Sequence, residues 1–255
     1  MLKLIKYEMI HSYRNFALVF GIFLLACLIV PFLPYDISAI GASIIIFAFF
    51  GISIAVFVTI IKNYNTSMFK KPGYLTLTLP VSSHELVLSK VISAFLWLTI
   101  TSIVLAVGIM ILVFAIITVE GVPINMNEFF NAINYALGRI DLGVFLIGLL
   151  QAILEGLVII LGLFVLVTAV QTKYTRNHKT AISFLIFIAY TVIMSFIGMN
   201  LPISMQESGF IFEVMEYGRI SSISINWYLM IMTIVEIVAF YGITVYILEK
   251  KIEIE

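Results

Sequence analysis

The sequence is poor in charged residues and in cysteine. Charged residues make up 11% of its 255 residues and hydrophobic residues 62%. A soluble globular domain carries about 25% charged residues, so the composition argues against that class. The single cysteine, Cys27, excludes an intrachain disulfide and any metal site that needs several cysteines. Because Cys27 lies inside an apolar run, we expect it to be a small packing residue.

The histidines and a missing loop motif limit the enzymatic chemistry that we expect. His11, His84 and His178 all fall outside the apolar runs. A Ser–His or Cys–His pair at membrane depth is therefore not expected, and the separation of the three histidines does not suggest a metal site. The sequence also lacks Gly-x-x-x-x-Gly-Lys-Ser/Thr, the loop that cradles nucleotide phosphates. We expect no catalytic residue, no metal ion and no cofactor in this chain.

Uncharged apolar runs of about 18 or more residues predict an all-α integral membrane protein. Run length favours helices, because the strands of a membrane barrel need only about ten alternating residues. No small-residue cleavage site follows the first run, so we expect it to stay as a span and not to be a signal peptide. We predict a single transmembrane domain over 1–255 with six spans, near 16–33, 37–61, 91–119, 142–170, 180–201 and 227–248.

The basic residues predict the orientation of these spans. Of the 14 lysines and arginines, 12 fall on one side of the predicted topology. The other side carries Arg139 and Arg219 together with an excess of carboxylates. Loops rich in lysine and arginine stay in the cytoplasm. The pattern therefore predicts a multi-pass protein of the plasma membrane with both termini in the cytoplasm. An even number of spans agrees with this, because it places both termini on the same side of the membrane.

Two segments outside the predicted spans are expected to be helical. Residues 1–15 show apolar positions at helical spacing and a basic face, which predicts an amphipathic helix at the inner interface. The alternative is a cytoplasmic extension of the first span. On the outside, Met205–Tyr217 within the loop 202–226 mixes aromatic residues with carboxylates and is predicted to form a short helix on the outer leaflet. The alternative is an ordered lid that binds no ligand. The connection 34–36 is expected to be a bare turn.

A strong helix start lies between the second and third spans. Pro80 biases the residue before it toward extended backbone. Ser82 is a good N-cap, and Glu85 three residues later completes a capping box. Val81 and Leu86 occupy the positions of a hydrophobic staple. These residues predict a short helix over Ser82–Ser89.

The two faces of this short helix differ in character. Leu86 and Val87 are predicted to face the lipid or the helix bundle. His84, Glu85 and Leu88 are predicted to face the cytosol. An ordinary interfacial elbow before the third span is the alternative interpretation.

The same segment carries a family resemblance. Gly73-Tyr74-Leu75-Thr76-Leu77-Thr78-Leu79-Pro80-Val81-Ser82, followed by Glu85-Leu86 and Ser89-Lys90, resembles the loop after the second span in bacterial ABC transporter permeases of the type-2 exporter family. The resemblance implies six spans, both termini inside, an amphipathic N-terminal helix and helices outside the membrane between spans five and six. It also implies a coupling helix that docks on a separate ATPase.

Several partners and site residues follow from that resemblance alone. The partners would be an ATP-binding cassette ATPase subunit, which binds ATP and magnesium, and a second permease chain, identical or a sister. No nucleic acid is expected. The substrate would be amphipathic, such as a peptide, a lipid-like molecule or a drug. The turn 173–179 would be a smaller ATPase contact. The ATPase-contact residues implied are Ser82, Ser83, His84, Glu85, Leu88 and Ser89.

Two carboxylates fall near the middle of predicted spans, Glu155 in the fourth and Glu236 in the sixth. A carboxylate at the bilayer centre costs roughly 3 kcal/mol on insertion scales, so each is expected to face the bundle or a cavity. Gln151 lies one turn before Glu155 and is placed to hydrogen-bond with it. These three residues are the candidate translocation-path residues. The alternative is that the glutamates brace neighbouring helices.

Two other functions remain open at this point. Glu155 and Glu236 could carry protons in a proton-coupled secondary transporter, although the inverted repeats typical of such proteins are missing. A membrane immunity or assembly protein is the other alternative.

Overall fold

The structure, a computed structural model, describes residues 2–32, 38–69, 82–119, 131, 134–135, 138, 142–171, 179–199, 211–216, 219–225 and 227–250. Long helices dominate these ranges: α1 (Leu2–Ile29), α2 (Ser38–Phe69), α3 (Ser83–Val119), α4 (Leu142–Val170), α5 (Lys179–Met199) and α6 (Trp227–Lys250). A short 3-10 turn, Val30–Phe32, follows α1, and two strands, β1 (Ile211–Glu216) and β2 (Arg219–Ile225), lie between α5 and α6.

The helices have the composition of membrane spans. Five of them contain segments long and apolar enough to cross a bilayer, namely Lys3–Phe32, Ile46–Phe69, Ser83–Val119, Phe145–Val170 and Trp227–Glu249. α5 contains the shorter apolar stretch Ala181–Ile197. Helix α1 is apolar on both of its faces, which is typical of a helix surrounded by protein and lipid. Its buried face carries Phe16, Phe20, Phe23 and Cys27, and its exposed face carries Leu18, Ile22, Leu25 and Ile29. These features are those of a multi-pass membrane protein.

The structure joins segments that the sequence divided. Residues 1–15 and the first span were predicted as two helices, whereas α1 runs unbroken over 28 residues from Leu2 to Ile29. The continuous helix agrees with the alternative, a helical extension of the first span. The short coupling helix Ser82–Ser89 is likewise the beginning of α3, which spans 37 residues. The prediction of a separate short helix was wrong, because no proline or glycine interrupts the chain between Ser83 and Val107.

The segment before α6 is a β-hairpin in its described part, which corrects the predicted outer helix. β1 and β2 pair antiparallel from Ile211 opposite Ile225 to Glu216 opposite Arg219, with an irregularity at Val214/Met215. The sequence of β2, Arg-Ile-Ser-Ser-Ile-Ser-Ile, is rich in β-branched isoleucine and alternates with serine near its end. This composition favours a strand over a helix. Residues 205–210 of the predicted helix lie outside the described residues.

The chain divides into two compact units. The first comprises Met1–Thr66 and Leu88–Gly138, and the second Ser67–Val87 and Arg139–Glu255. In the first unit, aromatic side chains of α1 pack on α3. The ring of Phe16 stacks on that of Trp97 with centroids 4.0 Å apart, and Phe20 lies 6.0 Å from Phe16 and 6.3 Å from Trp97. Burial of large rings of this kind contributes strongly to a core.

Polar contacts also tie the helices of the first unit together. Asn63 of α2 donates a hydrogen bond to the Ser12 hydroxyl at 2.8 Å, and that hydroxyl donates to the backbone carbonyl of Glu8 at 2.8 Å. Lys90 of α3 forms an ion pair with the Glu8 carboxylate. The Lys90 side chain is 5% exposed and that of Glu8 is 22% exposed, so the pair is largely shielded from solvent.

A close approach of α1 to α3 in the first unit involves a glycine that the sequence did not indicate. A Cβ atom added to Gly108 of α3 would lie 2.4 Å from the Cε1 atom of Phe23. Gly51 of α2 has no such neighbour, since no described atom lies within 4 Å of a Cβ placed there.

We expect Gly108→Ala to destabilise the protein by about 1–3 kcal/mol, the usual cost of overpacking. The ring of Phe23 packs edge-on against Phe49 with centroids 5.0 Å apart, so it cannot move away from a new methyl group without losing that contact. The measurement is the midpoint of thermal unfolding in detergent. Gly21→Ala is the control, since no described atom lies within 4 Å of its added Cβ. An unchanged midpoint for Gly108→Ala would contradict the prediction.

The second unit is built around α4, which packs against both α5 and α6. Its fully buried side chains include Ile160 and Phe164, and Thr244 of α6 is fully buried as well. Thr168 and Thr244 donate to the backbone carbonyls of Phe164 and Phe240, four residues earlier in their helices. These bonds satisfy hydroxyls that would be costly to bury without a partner.

Candidate functional site

The start of α3 has the predicted cap. The backbone N–H of Glu85 donates to the Ser82 hydroxyl oxygen at 3.3 Å, and the N–H of Leu86 donates to the Ser82 carbonyl at 3.1 Å. Ser82 therefore satisfies N–H groups that have no partner within the helix. The prediction of Ser82 as N-cap is confirmed. Val81, the other half of the predicted staple, lies outside the described residues.

The first two turns of α3 divide into a buried and an exposed face. Leu86 is 4% exposed and Val87 is fully buried, as predicted. The exposed face consists of His84, Glu85 and Leu88. Residues four apart lie on the same side of a helix, which places Leu88 one turn beyond His84. We call these three residues the α3 docking face.

Ser89 is a wrong choice among the predicted ATPase-contact residues. Its side chain is 1% exposed and lies within the fold, so it offers no surface to another protein. Ser82 is exposed and Ser83 is partly exposed, and both remain accessible beside the α3 docking face. The sequence pattern did not show that Ser89 is buried whereas Ser82 and Ser83 are accessible, because serine is usually an exposed residue.

A hydrogen bond that the sequence did not reveal ties this helix start to α6. The Nδ1 atom of His84 lies 3.0 Å from the hydroxyl oxygen of Tyr241, and the two ring centroids are 5.8 Å apart. Both residues belong to the second unit. His84 is thus exposed and is also held in place by α6. Nothing in the local sequence of either residue signals a partner 157 positions away.

The predicted pair on α4 forms, but its surroundings differ from the prediction. Gln151 donates a hydrogen bond from Nε2 to Oε1 of Glu155 at 2.8 Å, which confirms the predicted contact. Glu155 was expected to face the bundle or a cavity. Its side chain is instead exposed on the surface of the chain. Residue spacing places Glu155 on one face of α4 but does not show which neighbour covers that face.

Glu236 has a more enclosed position on α6. Its side chain is partly buried, and the Tyr190 hydroxyl of α5 donates to its Oε2 atom at 3.5 Å. The ring of Tyr190 lies 5.5 Å from the ring of Phe240, one turn after Glu236. The sequence indicated Glu236 but gave no sign of Tyr190. The three side chains form a small polar and aromatic cluster between α5 and α6.

An apolar cavity of about 240 Å³ adjoins this cluster within the second unit. Residues of α4, α5 and α6 line it, and it is open on one side. Gly162 widens the cavity, because a Cβ added there would already touch the Phe240 ring at 3.4 Å. The lining residues are Val158, Ile159, Gly162, Leu163, Val165, Leu166, Ile186, Phe187, Tyr190 and Phe240.

Parts of the predicted site are not placed by the structure. Residues 73–81 of the loop motif and 173–178 of the smaller predicted ATPase contact lie outside the described residues. Within the described ranges, no group of three His, Cys, Asp or Glu side chains is arranged to hold a metal ion. Comparisons of the chain with family models, with curated proteins and with solved structures gave no match.

Proposed function

We propose that this chain is the permease subunit of an ATP-driven exporter of the bacterial plasma membrane, which moves an amphipathic substrate by alternating access. The observation that supports this most directly is the capped start of α3 with the exposed residues His84, Glu85 and Leu88. A helix of 37 residues is about 55 Å long, whereas the bilayer core is about 30 Å thick. One end of α3 therefore extends beyond the lipid unless the helix tilts strongly.

In this proposal the α3 docking face contacts a separate ATPase subunit. The chain lacks a phosphate-binding loop, so ATP and magnesium bind to the partner. α5 serves as a sixth span beside the five long apolar helices, and the distribution of basic residues keeps both termini in the cytoplasm. The permease then responds to ATP binding and release as a set of rigid helices.

The hydrogen bond between His84 and Tyr241 gives this response a physical route. A displacement of the α3 start by the ATPase is passed to α6 through that contact. α6 also carries Glu236, a candidate translocation-path residue, five positions before Tyr241. In the proposed exporter, movement of the α3 docking face therefore reaches the membrane-spanning part of the chain through helix α6. No mobile loop is needed to transmit it.

A second permease chain accounts for the exposure of Glu155. A carboxylate facing lipid at membrane depth costs roughly 3 kcal/mol. A second copy or a sister permease covering the pair Gln151 and Glu155 would remove this cost. The pair then lies between two permease chains, where it can line the translocation path.

Co-assembly with an ATPase tests the proposal. The full chain is produced together with an ATPase encoded beside it and purified through a tag on the permease. We expect the two subunits to co-purify and the ATP hydrolysis rate to depend on the permease, because docking transmits the conformational change. A permease that purifies as a folded protein without the ATPase, and leaves its hydrolysis rate unchanged, would contradict the proposal.

A further inference from the structure

The cavity of the second unit has the size and lining of a ligand site. Its volume of about 240 Å³ exceeds the roughly 150 Å³ of an engineered apolar cavity that takes up benzene. Apart from the Tyr190 hydroxyl, every side chain in its lining is apolar. Ligand sites commonly combine an apolar lining with one or two fixed polar groups that orient the ligand. An aromatic ring or a short alkyl group fits this space.

The Glu236 carboxylate lies next to the Tyr190 hydroxyl, the one polar group of the lining. Tyr190 donates to Glu236 at 3.5 Å, which is longer than the 2.5–3.0 Å usual for a hydroxyl donor. Within the described ranges, Tyr190 is the partner found for this carboxylate. A carboxylate has room for about four hydrogen bonds, so most of its capacity remains unused.

The geometry of α6 places the Glu236 carboxylate close to the apolar lining of the cavity. Glu236 and Phe240 are four residues apart on α6 and share one face of that helix. Phe240 lines the cavity, and its ring packs against that of Tyr190. A cation bound at Glu236 would lie close to two aromatic rings, whose faces attract positive charge.

We propose that this cavity binds the apolar group of an organic amine and that Glu236 binds its ammonium group. A counter-charge would stabilise an ionised Glu236, because an ionised carboxylate at membrane depth is costly unless it is paired. In the described part of the chain, the ion pair found joins Lys90 and Glu8, and none involves Glu236. A ligand ammonium supplies the missing charge. The inference rests on the proposed function in one respect: it makes hydrophobic amines the substrate class of the exporter.

Photolabelling of the full chain in lipid nanodiscs tests this binding directly. The probes are a photoreactive octylammonium and the photoreactive octanol of the same shape. We expect the amine to label peptides of α4, α5 and α6 more strongly than the alcohol, and excess octylammonium to compete. Glu236→Gln is expected to lower amine labelling about tenfold, the effect of replacing a charged hydrogen-bond acceptor by a neutral one, and to leave alcohol labelling unchanged.

Matched variants distinguish the effect of the Glu236 charge on labelling from the effect of the cavity shape. Glu249→Gln removes an exposed carboxylate from the same helix and should leave both labels unchanged. Gly162→Leu fills the cavity and should remove both labels, whereas Gly162→Ala adds a single methyl group in contact with Phe240 and should retain most of them. If Glu236→Gln fails to fold, the preference of the unchanged protein for the amine over the alcohol still tests the inference.

Equal labelling by the amine and the alcohol in the unchanged protein would overturn the inference. So would amine labelling that Glu236→Gln does not reduce in a folded protein. The ATPase is absent from this assay, so failure here leaves the co-assembly test unaffected, and failure of co-assembly leaves a binding result intact.

Discussion

The full chain carrying both Glu85→Arg and Leu88→Arg is expected to fold and to lose its ATPase partner. Both side chains are exposed on the first two turns of α3, so the change leaves the packing of Leu86 and Val87 intact. Residues that anchor an interface contribute about 2 kcal/mol or more each, so the affinity should fall by roughly 100-fold or more. The measurements are co-purification through the permease tag and the ATP hydrolysis rate of the purified sample.

Controls distinguish lost docking from a damaged helix. Arginine near a helix N-terminus opposes the helix dipole at a cost of about 0.5 kcal/mol, so Glu85→Gln with Leu88→Gln provides a milder version. Lys62→Glu reverses an exposed charge on α2 and should leave the complex intact. A complex that survives both double variants unchanged would show that the ATPase docks elsewhere on the permease.

The sequence predicted the start of α3 well, because local rules determine a helix start. A capping serine and the spacing of apolar residues depend on positions close together in the chain. They placed Ser82 at the cap and Leu86 on the buried face, as the structure confirms. The predicted end of the short helix at Ser89 was wrong, because the helix continues through Lys90 without a helix-breaking residue. The Lys90 ammonium group is accommodated inside the fold by Glu8.

The buried face of α3 shows why burial was harder to predict. Ser89, Ser93 and Ala94 are buried there, whereas Leu96 and Ile103 are exposed. Large apolar residues such as Val91 and Trp97 are buried on the same face. Burial on α3 therefore does not follow polarity as it does in a soluble helix. Lipid solvates large apolar side chains, and helices in membranes therefore meet through small residues. A polarity rule learned from soluble proteins assigns Ser89 to the surface.

The tertiary partners at the candidate site could not be predicted from one sequence. His84 contacts Tyr241, and Tyr190 contacts Glu236, across 157 and 46 positions. No periodicity links residues so far apart, and nearly every neighbouring position in these helices is apolar. Only the packing of α5 and α6 brings the hydroxyl of Tyr190 to the carboxylate. The chemistry of Glu236 was visible in the sequence, and its environment was not.

Lys90→Met is expected to destabilise the first unit by about 3 kcal/mol, because breaking a buried ion pair leaves the other charge buried without its counter-charge. Its partner Glu8 is only 22% exposed and would keep a carboxylate that solvent reaches poorly. The predicted readout is a large drop in the midpoint of thermal unfolding in detergent. Lys62→Met, which removes an exposed lysine from α2, is the control and should change the midpoint little.

The double variant Glu8→Leu with Lys90→Met decides whether the pair itself is responsible. Replacing both members of a buried pair by apolar residues of similar volume is often neutral, because no unpaired charge remains. We therefore expect the double variant to recover most of the stability that either single change removes, which gives a large interaction free energy in the double-mutant cycle. Losses that simply add would show that the two side chains stabilise the fold independently. The ion pair would then be a consequence of how α1 and α3 pack, and not a cause of it.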